Sequence, residues 1–99
     1  MTIKEFEQGI KNIKNFEMRI KGLKDYIEEI KVLGSDNTCI VLYYDEDKEE
    51  NVDFNFPNKY ILKMTQEYLE DIKEKYKETI EKLNQCGLSI EPDKEIVGE

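Results

Sequence analysis

Tyr43 and Tyr44 run directly into Asp45-Glu46-Asp47-Lys48-Glu49-Glu50, and Asp53 follows three residues on. Carboxylates packed this densely attract basic surfaces and repel nucleic acid. Tyrosine buries a large ring while keeping a polar tip, and it is over-represented among residues that dominate binding energy. An aromatic pair beside a block of acid therefore predicts a surface that docks on a basic protein groove, with Tyr43, Tyr44, Asp45, Glu46, Asp47, Glu49, Glu50 and Asp53 as its contact residues. The alternation of Asp45, Asp47 and Glu49 also invites a calcium reading, but the sharp-turn glycine and the spacing to a terminal bidentate glutamate are missing. Neither a metal site nor a cofactor is expected.

Catalysis finds little to work with. The chain has no histidine, no tryptophan, a single arginine (Arg19) and two isolated cysteines, Cys39 and Cys86. A cysteine nucleophile would lack its histidine base, and no pair of carboxylates is marked by an unusual neighbourhood. The expectation is a protein that is not an enzyme. The cysteines match no CxxC spacing and read as buried thiols of a reducing compartment. No apolar run reaches the 18 or so residues of a membrane span, and Lys and Glu punctuate Met1 to Ile20, unlike a signal peptide. A cytoplasmic protein is expected, with no membrane and no direct nucleic-acid contact.

Two long helices must hold this acidic segment. The first spans residues 2–33: Thr2 and Glu5 form a capping box, and Gly34 supplies a left-handed stop. Its apolar residues, Ile3, Phe6, Ile10, Ile13, Phe16, Ile20, Leu23, Ile27 and Ile30, step by three or four throughout. That mean step is shorter than 3.6, so the stripe creeps about half a turn around the cylinder. Either the helix kinks near Gly22 or its two halves meet different partners; Gly9 marks a second weak point or a close approach by another backbone. The second helix spans 59–85 after the stop and cap of Pro57-Asn58. Ile61, Met64, Tyr68, Leu69, Ile72, Tyr76, Ile80 and Leu83 form its apolar face, and Gly87 closes it.

Between them, Thr38 to Tyr44 is β-branched and aromatic, and Val52 to Phe56 alternates at period two, which predicts a hairpin over 38–56. The first strand is apolar on both faces, which places it inside the protein or against a partner. Two strands alone are marginal in water, so they are expected to pack on the helices or to gain a third strand from Leu88-Ser89-Ile90 or Ile96-Val97. The tail, 88–99, is acidic (Glu91, Asp93, Glu95, Glu99).

The result is one domain over 1–99, α+β and mostly helical: two long antiparallel helices connected by a β-hairpin. Charge is segregated within it. Residues 34–58 carry one base against seven acids, whereas 59–85 carry six of each. Helices of 48 and 40 Å, by the rise of about 1.5 Å per residue, overhang any compact core of this length, so an elongated shape and a homodimer are expected. In its helix–hairpin–helix layout the chain resembles a shortened prefoldin-type chaperone subunit, which implies a self-assembling helical scaffold. In smallness and acidity it resembles the inhibitors that phages and mobile elements carry against nucleic-acid enzymes, anti-CRISPR proteins among them, which implies a basic partner protein. A third reading is an oligomer that sequesters a small ligand or nucleotide between subunits, lined by Lys11, Lys14, Arg19, Lys21 and Lys24.

Overall fold

The computed structural model describes residues 1–34 and 36–97. The order is α1 (Ile3–Leu33), β1 (Thr38–Asp45), β2 (Glu50–Pro57), α2 (Asn58–Gln85) and a one-turn α3 (Lys94–Val97). The molecule is a flat, elongated slab of 48 × 38 × 15 Å. Its radius of gyration of 17.3 Å is well above the 13 Å or so of a compact chain this long.

Local signals set the helix ends. The Thr2 hydroxyl accepts from the Glu5 amide at 3.1 Å, half of the expected capping box. Gly34 ends α1 with φ +89°, and its amide donates to the Ile30 carbonyl. Gly87, at φ +99°, ends the turn after α2, and its amide donates to the Asn84 carbonyl at 3.0 Å.

The helices lie antiparallel along one seam. Ile13, Ile20 and Ile27, seven residues apart, pack with Leu69, Ile72, Tyr76, Ile80 and Leu83 of α2. At Gly9 the close approach comes from a side chain rather than a backbone: a β-carbon there would stand 2.8 Å from Leu83 Cδ2. α1 runs unbroken through Gly22, which faces open space. The creep of its stripe is taken up in two other ways. At the N-terminal end Ile3 and Phe6 are left exposed, and further along the C-terminal tail covers what α2 does not.

Among the described residues the tail supplies no third strand; the sheet there has two, and Ile96 and Val97 belong to α3. Gly98 and Glu99 lie outside the described residues. The tail folds back instead, with Ile96 buried and Leu88 and Ile90 packed on the seam. Polar groups pin it. Asn84 brackets Ile90, its Nδ2 donating to the carbonyl at 2.8 Å and its Oδ1 accepting from the amide at 2.7 Å. The fully buried Tyr76 donates its hydroxyl to Glu17 Oε2 at 2.8 Å and accepts from the Asp93 amide at 3.1 Å. Burial, and secondarily the Glu17 carboxylate, raise the Tyr76 pKa above its ordinary value, while the Asp93 amide works the other way.

Three more expectations are corrected. Met64 and Tyr68 were placed on the buried face of α2, yet they stand about half exposed, because a single facing helix covers only a narrow arc. Cys86 is an exposed free thiol at the end of α2, not a buried one. Asn58 is not a cap. It is fully buried at the base of the hairpin, where its amide donates to the Asn37 carbonyl at 2.8 Å and its Nδ2 to the Gly34 carbonyl at 2.9 Å.

Candidate functional site: the projecting hairpin

β1 and β2 pair antiparallel from Thr38↔Pro57 to Asp45↔Glu50. Eight residues per strand extend about 26 Å, and because the 48 Å long axis of the molecule is about the length of α1 alone at about 1.5 Å per residue, the ladder leaves the helix pair sideways rather than lengthening it. Its root is fixed by the Asn58 bonds and by Asn37 Nδ2, which donates to the Leu33 carbonyl. The clasp joins the exits of α1 and β2, so the blade is held at its base.

Neither strand is inside. Ile40, Leu42, Tyr43 and Tyr44 of β1 are each more than half exposed, so of the two placements expected for β1, inside the protein or against a partner, the first is not observed. The register sorts the side chains into two faces. One carries Tyr43, Val52, Phe54 and Phe56, with ring centroids 6.4 Å apart for Tyr43–Phe54 and 6.2 Å for Phe54–Phe56. The other sets Ile40, Leu42 and Tyr44 opposite Asn55, Asp53 and Asn51. Alternation forces Tyr43 and Tyr44 apart, and both are exposed because no helix covers either face.

The tip holds the acid. Asp45 is half-buried and structural: its Oδ1 accepts from the Asp47 amide at 3.0 Å and the Lys48 amide at 3.4 Å, an Asx turn that starts the reversal. Glu49 completes it at φ +51°, in the left-handed region. Glu46, Asp47, Glu49 and Glu50 are exposed around the turn, while Asp53 sits mid-blade across from Leu42. All eight predicted contact residues are thus gathered on one projection. They are divided between its two faces and its tip, with Asp45 committed to the turn.

Sequence reasoning missed the larger part of this surface, namely the exposure of Ile40, Leu42, Phe54 and Phe56. Asn51, Asp53 and Asn55 were the available signal, since polar residues paired with apolar ones cannot line a core. It also missed Tyr60, Met64 and Tyr68, which follow at four-residue steps along one flank of α2 and are about half exposed. Among the helix 1 cations of the sequestering reading, Lys24 is engaged, its Nζ donating to the Glu95 carbonyl at 2.9 Å. Among the described residues no group of three or more His, Cys, Asp or Glu side chains could hold a metal ion, and no helix is long and apolar enough to cross a membrane.

No family model matches the chain, and no similar curated protein or solved structure is found. The functional reading rests on the hairpin itself.

Proposed function

We propose that the protein is a non-enzymatic binding module whose acid-tipped, two-faced hairpin docks on a basic surface of a partner protein. More narrowly, we propose that it inhibits a basic nucleic-acid enzyme, in the manner of the small acidic inhibitors of phages and mobile elements. One observation carries the reading: six large apolar side chains, Ile40, Leu42, Tyr43, Tyr44, Phe54 and Phe56, are 38% to 68% exposed on a projection that ends in carboxylates. They stand three to a face, and clustered apolar area of that kind supports an interaction site where isolated surface residues would not. The roles divide by position. Tip charges act on the encounter rate, whereas aromatics on the blade, once desolvated, set the dissociation rate.

The test is binding kinetics against a panel of basic nucleic-acid enzymes at two ionic strengths. Replacing Glu46→Gln, Asp47→Asn, Glu49→Asn and Glu50→Gln, with Asp45 kept for its turn, should slow association and flatten its salt dependence. Phe54→Ala and Tyr44→Ala should accelerate dissociation. Binding unchanged in both sets would move the interface to the helices and leave the acid as a solubility device.

A further inference from the structure

The two free edges of the hairpin are chemically unlike. β2 carries the guards that edge strands use against pairing: Glu50 at one end, Asp53 in the middle and Pro57 at the other end, where the missing N–H breaks any ladder. β1 carries none. From Thr38 to Tyr44 it has no charge, no proline and no glycine, and it is β-branched or aromatic at most positions. Its exposed side chains are apolar on both faces, so neither face offers the charged residue that would deter a further strand from pairing along this edge. Yet only one of its sides is paired.

We infer that β1 pairs antiparallel with β1 of a second copy, making a four-stranded sheet in the order β2–β1–β1–β2. This goes beyond the basic-partner reading and stands without it. Charge selects the occupant. A two-fold axis at the middle of the uncharged run sends the two acidic tips in opposite directions, separated by roughly the length of the joined strands and so by more than the Debye length of about 8 Å. A parallel pairing would set the tips side by side. In the antiparallel pairing Ile40 faces Leu42 of the partner subunit, so one surface of the joined sheet gains a central apolar band. Asn51, Asp53 and Asn55 of each β2 rim that band, the apolar-centre and polar-rim layout of interfaces.

Area sets the strength. At about 200 Å² for a large apolar residue, the six exposed side chains leave roughly 600 Å² in water, short of the 800 Å² or so per partner of a standard interface. Edge pairing covers only part of that, although it adds the free backbone groups of β1. The pair is therefore smaller than a standard interface and is expected to be a weak one.

Sedimentation equilibrium over a micromolar-to-millimolar range, with hydrogen exchange at both ends of the range, tests this. The wild-type chain should shift from 11.8 kDa toward twice that mass, and the amides of 38–44 should slow as it does, more than those of α1 or α2. Leu42→Lys should raise the dissociation constant at least tenfold. Inside its own hairpin the new ammonium faces Asp53, so the strand pair survives while the band opposite the partner's Ile40 acquires a charge. Gln85→Lys, exposed at the end of α2 far from the hairpin, should leave the mass distribution unchanged. A monomer throughout the range overturns the inference. So does a dimer that tolerates Leu42→Lys, or one whose formation protects the α2 flank of Tyr60, Met64 and Tyr68 but not β1.

Discussion

The helix seam and the hairpin are both built from isoleucine, leucine and aromatic residues, but they use them in opposite ways. In the seam Ile20, Ile72 and Tyr76 are at most 2% exposed, and among the described residues no buried side-chain polar atom lacks a partner. In the hairpin Ile40 and Leu42 are about two-thirds exposed. A slab 15 Å thick explains the split, since one layer of helices has a single seam to fill and no second layer to cover the sheet. Apolar residues that the fold does not cover do not stabilise it. Their exposure on a blade with a charged tip is what the proposed binding role rests on.

The sharpest way to break this comparison is to cut the same volume from both regions. Ile72→Ala should lower the unfolding free energy by about 2–5 kcal/mol, because it leaves a cavity in the core between the helices. Ile40→Ala should change it by less than about 0.5 kcal/mol, as at other exposed sites. Urea titration followed by helical circular dichroism measures both.

Tyr76 sharpens the account of the tail. Tyr76→Phe keeps the ring but strands the Asp93 amide and removes a bond to Glu17, so a loss of about 1–3 kcal/mol is expected, with faster exchange at Ile90 and Asp93. The sign of the pH effect follows from the raised pKa. The folded state holds the phenolic proton more tightly than the unfolded chain does, so the contribution is complete below the ordinary tyrosine value. It is lost as pH rises from about 10 through the higher folded value. The wild-type protein should lose stability in that alkaline window, and Tyr76→Phe should remove that part of the loss.

The glycines give the smallest effect and a difference of sign. Gly22→Ala meets open space and should stabilise α1 by about 0.5–1 kcal/mol with no change in assembly. Gly9→Ala meets Leu83 and should gain nothing or lose about 1 kcal/mol, as repacking of that buried side chain offsets the helix preference. Thermal melts of the two variants side by side decide it.

What was legible in the chain was local. The Thr2–Glu5 cap, the glycine stops and the hairpin run are short-range signals, and the elements appear within a residue or two of where those signals put them. What was not legible depended on what lies across from each face. Met64 and Tyr68 share the period of the buried residues, and only the presence of one neighbouring helix instead of two leaves them in water. Asn58 looks like a helix cap in sequence, and its use as a clasp depends on the Gly34 and Asn37 carbonyls that the chain brings back to it. The folding-back of the tail depended on a hydroxyl, that of Tyr76, aimed at a backbone 17 residues away. For the candidate site, residue types placed the acid and tyrosines correctly on one projection, but not the bareness of both its faces.

The central claim is that the seam carries stability and the hairpin carries recognition. The most direct test strips the blade without touching the seam: Leu42→Ser, Tyr44→Ser and Phe54→Ser together, followed by urea unfolding at a concentration low enough to keep the chain monomeric. The account predicts an unfolding free energy, from the helical midpoint and slope together, matching the wild type within about 0.5 kcal/mol, while binding to other chains is abolished. A loss of several kcal/mol in the triple variant would contradict it, because it would mean that the hairpin side chains belong to the core.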